Sequence, residues 1–155
     1  MVDCTFAWEN IAVGGAILAE KNYEELAKHY GITHIIDAQA EWDDTPIARY
    51  YGIETCWVPA WDDLTKPRTS SFLKAVKFVE NSIMKDSKAK VLCHCAGGVH
   101  RGPMFGLLTA MRMGIKESEA VAVIKEVRPI AFFPETYRSA VSEFMAKYMS
   151  GKMRG

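Results

Sequence analysis

The chain has 155 residues, 49% of them hydrophobic, and this length suits a single domain, residues 1–155, with a sizeable core. Its 19 lysines and arginines balance its 19 aspartates and glutamates, so the formal net charge is zero. A neutral chain has no overall field that would attract nucleic acid or an acidic membrane, and no apolar run approaches the ~20 residues that span a bilayer. We therefore expect a cytoplasmic monomer that binds neither nucleic acid nor membrane.

The four cysteines, Cys4, Cys56, Cys93 and Cys95, do not form the disulfide framework of a small secreted protein. Cys93 and Cys95 lack the further ligands of a closed zinc site, so we expect reduced thiols and no metal. Successive side chains of a strand point in opposite directions, which disfavours a disulfide between Cys93 and Cys95. Cys93 is therefore interpreted as a buried core thiol.

Strands and helices alternate in the first part of the chain. An apolar stretch at residues 11–13, followed by two glycines, predicts an edge strand. Residues 22–25 have the pattern of a capping box and predict the start of a helix that ends near Tyr30. Residues 32–36 are rich in β-branched side chains and predict a strand bounded by Asp37.

The next segment, residues 39–52, is polar and carries the acidic residues Glu41, Asp43 and Asp44. It is either an ordinary connecting loop or an acidic rim beside a binding site. As a rim, it would favour ligands with neighbouring basic groups. Residues 53–59 alternate in polarity and predict another strand.

The second half of the chain is mostly helical. The spacing of its apolar residues predicts a helix from Thr69 to about Ile83, a strand over residues 91–93, and helices over 103–113, 117–127 and about 137–148. The helix over 103–113 is almost wholly apolar, which predicts that it is buried.

Residues 91–103 organise the chain, because a buried strand there leads through a cysteine, a glycine pair and an arginine into a helix. The spacing between Cys95 and Arg101 lets the chain curl into a loop with inward-facing backbone N–H groups. Such a nest of amides at a helix N-terminus binds anions. The alternative is a structural cysteine in a glycine-rich turn.

Each residue type in this loop suits the capture of a phosphate group. Inward amides, the helix dipole and a nearby guanidinium favour the thiolate form of Cys95, which makes it a nucleophile. Arg101 presents a planar fork of donors that can hold two phosphoryl oxygens. Gly97 and Gly98 let the backbone approach the anion. His94 lies where an imidazole can hydrogen-bond the backbone and fix the shape of the loop.

The pattern His-Cys-x-x-Gly-x-x-Arg between strand and helix resembles the signature of the cysteine-dependent protein tyrosine phosphatases. The short chain is similar to their atypical dual-specificity branch over nearly its whole length. The resemblance implies a three-layer α/β fold, with a central, mostly parallel, twisted sheet of about four to five strands flanked by helices. It also implies a protein phosphatase that hydrolyses phosphotyrosine, and less strictly phosphoserine or phosphothreonine, through a phosphocysteine intermediate without a metal or organic cofactor.

The resemblance carries roles onto particular residues. Cys95 is the expected nucleophile and Arg101 the phosphate-binding residue. A carboxylic acid must protonate the leaving oxygen, and the family places this aspartate on a loop after a strand. Asp62 matches that place and the adjacent Asp63 is the alternative; the other aspartate would stabilise a turn or cap a helix. The phosphate is expected to contact the loop residues Ala96, Gly97, Gly98, Val99 and His100 together with Arg101.

Three positions depart from the family pattern. Gly102 stands where most relatives carry a serine or threonine whose hydroxyl stabilises the sulfur as it leaves the phosphocysteine. We therefore expect fast attack by Cys95 and slow breakdown of the intermediate. His100 replaces a residue that is usually small, and it either donates a hydrogen bond, positions water, or is solvated at the rim. Glu135 replaces a frequent asparagine.

Other functions are compatible with the same loop. A phosphoinositide or RNA 5′-phosphatase would use the same loop, but highly anionic substrates favour more positive charge than Arg101 and His100 provide. A phosphopeptide-binding pseudophosphatase is a further alternative, for which Gly102 leaves room. We expect a shallow site whose entrance Trp57 and Trp61 flank, although strand alternation places Trp57 equally well in the core.

Overall fold

The computed structural model describes residues 1–151, in which a five-stranded sheet lies between two layers of helices. The strands are β1 Cys4–Trp8, β2 Ile11–Gly14, β3 His34–Gln39, β4 Glu54–Ala60 and β5 Val91–His94. The helices are α1 Glu20–Lys28, α2 Thr45–Tyr50, α3 Thr69–Phe78, which continues through a π-helical turn at Val79–Ile83, α4 Arg101–Arg112, α5 Glu117–Val127 and α6 Glu135–Met149. Within these residues, no helix is both long enough and apolar enough to span a bilayer.

The sheet has the strand order β1-β2-β5-β3-β4, and only β1 runs antiparallel to its neighbour. The central strand β5 pairs in register with both neighbours, so that His94 lies beside Gly14 of β2 and Asp37 of β3. The segments that follow these parallel strands therefore emerge at the same edge of the sheet. In open α/β sheets, this carboxyl edge is where ligands bind.

Each face of the sheet is covered by its own helices. On one face, Tyr23 and Leu26 of α1 and Ala48 of α2 pack against Ile35 and Leu92. On the other face, helices α3, α4 and α6 enclose the larger core, which contains Phe72, Val76, Cys93, Phe105, Leu108, Val141 and Phe144. The three-layer fold and the mostly parallel sheet that the sequence predicts are thus confirmed.

The cysteines are free, as expected. Cys93 is fully buried, and its Sγ lies 3.6 Å from Thr109 Oγ1. Burial raises the pKa of the Cys93 thiol to about 12, although the hydrogen bond to Thr109 opposes this shift. A thiol in these surroundings is chemically inert, which agrees with the interpretation of Cys93 as a core residue.

Two predictions near the N-terminus are wrong. The strand at residues 11–13 is not an edge strand, because β1 pairs with its outer side. The sequence does not reveal β1, since all five of its residues are half-buried and buried and exposed residues do not alternate along it. The capping box is absent, because α1 begins at Glu20 and no side chain caps it. Asn22 lies inside the first turn and donates to Glu25 Oε1 (3.1 Å). Glu25 Oε1 also accepts from the backbone N–H of Val2 (3.1 Å).

The segment between β3 and β4 also differs from its prediction. Residues 45–50 form helix α2, with Pro46 in its first turn, where a missing N–H costs nothing. Strand β3 continues past Asp37 to Gln39, so Asp37 lies within the strand and is fully buried. Its carboxylate accepts hydrogen bonds from the backbone N–H groups of Gln39 (2.9 Å) and Asp44 (3.0 Å), which makes a charged residue acceptable there.

The helices of the second half agree more closely with prediction. Helix α5 has the predicted bounds, and α3 begins at Thr69, although no side chain caps it. Helix α4 begins two residues earlier than predicted, at Arg101, which places this arginine in its first turn. Gly114 ends the α4 segment with a positive φ of 97°.

Candidate active site

The loop between β5 and α4, residues 95–100, lies at the carboxyl edge of the sheet. Cys95 begins the loop, is only 2% exposed, and accepts a hydrogen bond at Sγ from the backbone N–H of Gly98 (3.2 Å). Gly98 has a φ of 67°, which a residue with a side chain rarely adopts. A Cβ atom there would also lie 2.2 Å from Arg128 Nη2. The loop therefore requires glycine at this position.

The carbonyl groups of residues 96–99 all accept hydrogen bonds from outside the loop. Ala96 O accepts from the N–H of Ala16 (2.8 Å), and Val99 O accepts from the N–H of Phe132 (2.8 Å). The carbonyls of Gly97 and Gly98 accept from Arg128, at 3.4 and 2.8 Å. In a trans peptide, the N–H points opposite to the C=O. The N–H groups of residues 97–100 therefore face the interior of the loop, as the amide nest predicts.

Arg128 is a buried support of this loop. Its Nε donates to Gly98 O (2.8 Å), and its two terminal nitrogens donate to Asp3 Oδ1 (2.8 Å) and Oδ2 (2.7 Å). Asp3 Oδ2 also accepts from the N–H of Gly15 (3.1 Å), so the N-terminal segment is tied to the loop. The hydrogen bond from Arg128 lowers the pKa of Asp3 below its ordinary value, against the effect of burial.

The guanidinium of Arg101 is held from behind by a carboxylate that follows β3. Arg101 is only 2% exposed, and it donates through Nη1 and Nη2 to Glu41 Oε1 (2.6 Å) and Oε2 (3.0 Å). Nη1 also donates to Ala60 O (2.7 Å) at the end of β4. Burial opposes the charge of Arg101, but the Glu41 hydrogen bonds raise its pKa, and the nearby Cys95 adds to this effect. The same contact lowers the pKa of Glu41.

These contacts leave one edge of the guanidinium free. A guanidinium carries five N–H groups, and three of those of Arg101 are used by Glu41 and Ala60. Among the residues that the structure describes, the buried Nε of Arg101 has no hydrogen-bond partner. The remaining N–H of Nη2 lies on the same edge as Nε–H, so the two form a fork. An unpaired buried donor is costly, and a bound oxyanion would satisfy it.

His94 lies beneath the loop in a fully buried network. Its Nδ1–H donates to Gly15 O (3.1 Å) and its Nε2–H to Asp44, which also accepts from the hydroxyl of Tyr23. Because both ring nitrogens donate, the geometry favours the imidazolium form. Burial opposes this charge, but the hydrogen bond to Asp44 and the negative charges of Asp44 and Asp37 together raise the pKa of His94 above its ordinary value. His94 thus ties the end of β5, directly before Cys95, to Gly15 and Asp44, and its positive charge lies one residue from Cys95.

Asp37, Asp44 and His94 are the one group of side chains within residues 1–151 whose spacing could hold a metal ion. Burial raises the pKa of Asp37 to about 7, while the positive charge of His94 opposes the shift. The hydrogen bonds of this group already use its ligand atoms, since Asp44 binds both His94 and Tyr23. The arrangement is that of an internal hydrogen-bond network.

The two candidate acids occupy different surroundings. Asp62 reaches the loop, because its Oδ1 accepts a hydrogen bond from His100 Nδ1 (3.1 Å). Asp63 instead accepts from the N–H (3.0 Å) and hydroxyl (2.7 Å) of Thr65 and stabilises a turn. Asp62 is therefore the one of the two that contacts the loop after β5, and its charge also acts on Arg101.

Gly102 lies close to the backbones of β2 and β5. A Cβ atom at this position would lie 3.2 Å from Gly14 O and His94 Cα, and 3.3 Å from Cys93 O. These neighbours are main-chain atoms, so a side chain at this position would require the start of α4, β2 or β5 to shift by a few tenths of an ångström.

Three exposed aromatic side chains belong to segments that contact the loop. Trp42 follows Glu41, Trp61 precedes Asp62, and Phe132 packs its ring against that of His100. Trp57 is half-buried, and its indole N–H donates to Gln39 O (2.7 Å).

Sequence reasoning did not identify the contacts of Glu41, Arg128 and Asp3. In the sequence, Glu41 is only one acid of a polar segment, and Arg128 follows the predicted helix over residues 117–127 without a motif of its own. No local pattern marks either residue, because each partner is distant in the chain. The one available signal is that an arginine in the middle of a buried motif requires an acidic partner.

Comparisons with known proteins agree with this geometry. A family profile described as the dual specificity phosphatase catalytic domain matches residues 17–147. A crystal structure of PTPMT1 in complex with PI(5)P superposes with a TM-score of 0.83 at 14% identity, over 96% of this chain and 98% of that one. Tk-PTP in the active form has a TM-score of 0.78 at 21% identity, over 94% and 97% of the two chains. Human DUSP28 has a TM-score of 0.77 at 18% identity, over 95% and 99%. A search of curated proteins found no significant match.

The ion pair between Asp3 and Arg128 predicts a pH-dependent contribution to stability. Asp3→Asn should lower the free energy of unfolding by about 1 to 2 kcal/mol at pH 7, because the buried guanidinium loses its anionic partner. The pKa of Asp3 is lowered in the folded protein, so this contribution is present above the ordinary carboxyl pKa and lost as the pH falls through the folded value.

Denaturant unfolding of both proteins at pH 7 and at about pH 3 measures the difference. We expect it to shrink at the lower pH, with Glu24→Gln on the surface of α1 as a control that changes little at either pH. A difference that does not change with pH would contradict the role of the Asp3 charge.

Proposed function

Because the chain belongs to the dual-specificity phosphatase family and is a cysteine-based phosphatase, we propose that it hydrolyses phosphotyrosine in proteins or peptides with Cys95 as nucleophile. Phosphoserine and phosphothreonine are secondary substrates in this proposal. Arg101 and the loop amides bind the phosphate, and Asp62 is the general acid and base. The expectations of a cytoplasmic monomer without a nucleic-acid or membrane partner stay predictions.

The observation that carries the proposal is the free, buried edge of Arg101, directly after the loop that Cys95 begins. Its Nε–H has no partner among the described residues, and the second free N–H lies beside it. Two oxygens of a phosphoryl group fit such a fork. The inward N–H groups of residues 97–100 supply further donors for the charge that develops on these oxygens.

The proposed reaction has two steps. The Cys95 thiolate attacks phosphorus, the bond from phosphorus to the tyrosine oxygen breaks, and the Asp62 carboxyl gives its proton to that oxygen. A phosphocysteine results. A water molecule then gives a proton to the Asp62 carboxylate and attacks phosphorus, the bond from sulfur to phosphorus breaks, and inorganic phosphate leaves with the Cys95 thiolate restored.

The charges around the site support an aryl monoester substrate. Within residues 95–101, the only side chains that can carry positive charge are His100 and Arg101. Glu41, Asp62 and Asp63 add negative charge nearby, which disfavours polyphosphorylated lipids and RNA 5′ ends. The exposed aromatic rings of Trp61 and Phe132 offer apolar contacts to a tyrosine side chain.

Replacement of the nucleophile should abolish activity. Cys95→Ser should lose hydrolysis of para-nitrophenyl phosphate, while Cys4→Ser in strand β1 should retain it. Acid quenching of the wild type during turnover, followed by mass spectrometry of its peptides, should find a phosphoryl group on Cys95. Hydrolysis that persists in Cys95→Ser would overturn the proposal.

The missing hydroxyl at Gly102 predicts burst kinetics. Because no side chain stabilises the departing sulfur, breakdown of the phosphocysteine should limit turnover. Stopped-flow traces with saturating aryl phosphate should show a rapid release of leaving group, close to one equivalent of enzyme, before a slower steady rate. A strictly linear trace would show that the first step is limiting.

The contact of Glu41 with Arg101 predicts that loss of Glu41 lowers kcat without raising KM. Glu41→Gln should lower kcat by about tenfold or more, because the guanidinium loses the bidentate contact that fixes its free edge. KM should not rise, since removal of a negative charge near the site favours anion binding. Steady-state kinetics with an aryl phosphate, with Glu24→Gln as the control, measures both constants. An unchanged kcat would contradict the role of Glu41.

A further inference from the structure

The hydrogen bond between His100 and Asp62 joins the loop after β5, residues 95–100 and here called the phosphate loop, to the loop that carries the expected acid. His100 Nδ1 and Asp62 Oδ1 are 3.1 Å apart. The His100 side chain is 23% exposed and that of Asp62 is 46% exposed, so the pair lies at the mouth of the site. A carboxylate oxygen can only accept, and Nδ1 is therefore the protonated nitrogen in this contact.

The loop that carries Asp62 has few other attachments. Residues 61–66 are all exposed, and the Asp63 carboxylate is used within the loop, by Thr65. The far end is held by the contact between Lys66 and Glu143 (3.8 Å), and the backbone of Leu64 lies close enough to the hydroxyl of Tyr137 to affect its pKa. Neither contact involves the Asp62 side chain. The imidazole of His100 is what fixes its carboxyl group.

The imidazole is itself held in place. The ring of Phe132 packs against it edge to face, with centroids 5.8 Å apart and an interplanar angle of 74°. The backbone N–H of Phe132 donates to Val99 O (2.8 Å), next to His100 in the chain. The connector after α5 thus sets the direction of the ring, and the ring sets the position of Asp62.

We propose that His100 is the positioning residue of the general acid. The proposal rests on the proposed function and adds to it. In the first step, Asp62 must present its proton to the leaving oxygen. Because Oδ1 accepts from His100, the proton of the neutral carboxyl group resides on Oδ2, the oxygen that is free to meet the substrate. In the second step, the same contact leaves Oδ2 free to accept the proton of the attacking water.

The family usually has a small residue at the position of His100. Such a residue would leave the general acid without this hydrogen bond. With His100, the acid loop is attached to the phosphate loop before substrate arrives, so less conformational freedom is lost in the transition state. The effect should depend on the leaving group. An alkoxide or an ordinary phenoxide needs the proton of Asp62, whereas a strongly acidic phenol leaves without it.

The test compares His100→Ala with His100→Asn on phenyl phosphate and on difluoromethylumbelliferyl phosphate, whose leaving group is far more acidic. The amide N–H of asparagine replaces Nδ1–H, and alanine has no donor. We measure kcat/KM, which reports steps up to the transfer of phosphate to Cys95 and is insensitive to slow breakdown of the intermediate. His29→Asn, on the surface after α1, is the matched control.

We expect His100→Ala to lower kcat/KM for phenyl phosphate by about tenfold more than for the activated ester, and His100→Asn to restore most of the difference. In the Asp62→Asn background, His100→Ala should have little further effect, because the two residues act as one unit. Equal losses on both substrates, or an asparagine variant as impaired as the alanine variant, would overturn the proposal.

The proposed function fails in a different way. If the wild type did not hydrolyse either ester, or if Cys95→Ser did so equally well, the reaction itself would be wrong whatever the His100 variants do. Thermal melting of each variant establishes that it is folded, and the comparison between two substrates on one variant does not depend on its stability.

Discussion

The contact between Arg101 and Glu41 is the constraint on which the site depends. A buried guanidinium is costly unless it is paired, and Glu41 pairs it through two hydrogen bonds while Ala60 takes a third. The partners come from the ends of β3 and β4, and Arg101 comes from the first turn of α4. The parallel sheet thus holds the arginine from one side and leaves its Nε edge without a partner among the described residues.

The phosphate loop is shaped by the same kind of support. Its carbonyl groups are bound by the framework on the outside, which turns its N–H groups inward. Arg128, paired with Asp3, binds two carbonyls of the loop, and His94, paired with Asp44, anchors the strand end before Cys95. The positive charges needed near a phosphate are therefore fixed by folding and need not be arranged during the reaction, which is the basis of electrostatic preorganisation.

The parts of this arrangement that the sequence predicts are local. The loop, the strand before it and the helix after it lie within residues 91–112, and the helices of the second half follow from their periodicity. The parts it does not predict depend on distant partners. Glu41 binds a residue 60 positions away and Asp3 one 125 positions away, and no local pattern reports such pairs. Strand β1 is half-buried throughout and lacks the alternation that would reveal it.

Asp62 lies between features that the local sequence predicts and features that depend on distant partners. Its sequence neighbourhood does not distinguish it from Asp63, because both are acidic residues of one exposed loop. Their contacts separate them, because Asp62 binds His100 of the loop after β5 and Asp63 binds Thr65 within its own loop. Likewise, Gly102 is visible in the sequence as a departure from the family, but its close packing on β2 and β5 is visible only in three dimensions.

A crystal structure of the protein with vanadate, which imitates the phosphoryl group in transfer, tests the central claim most directly. The account predicts vanadium bonded to Cys95 Sγ, with two of its oxygens on Nε and Nη2 of Arg101 while Glu41 keeps its bidentate contact. Vanadate bound away from Cys95, or an Arg101 that leaves Glu41 to reach the anion, would contradict it.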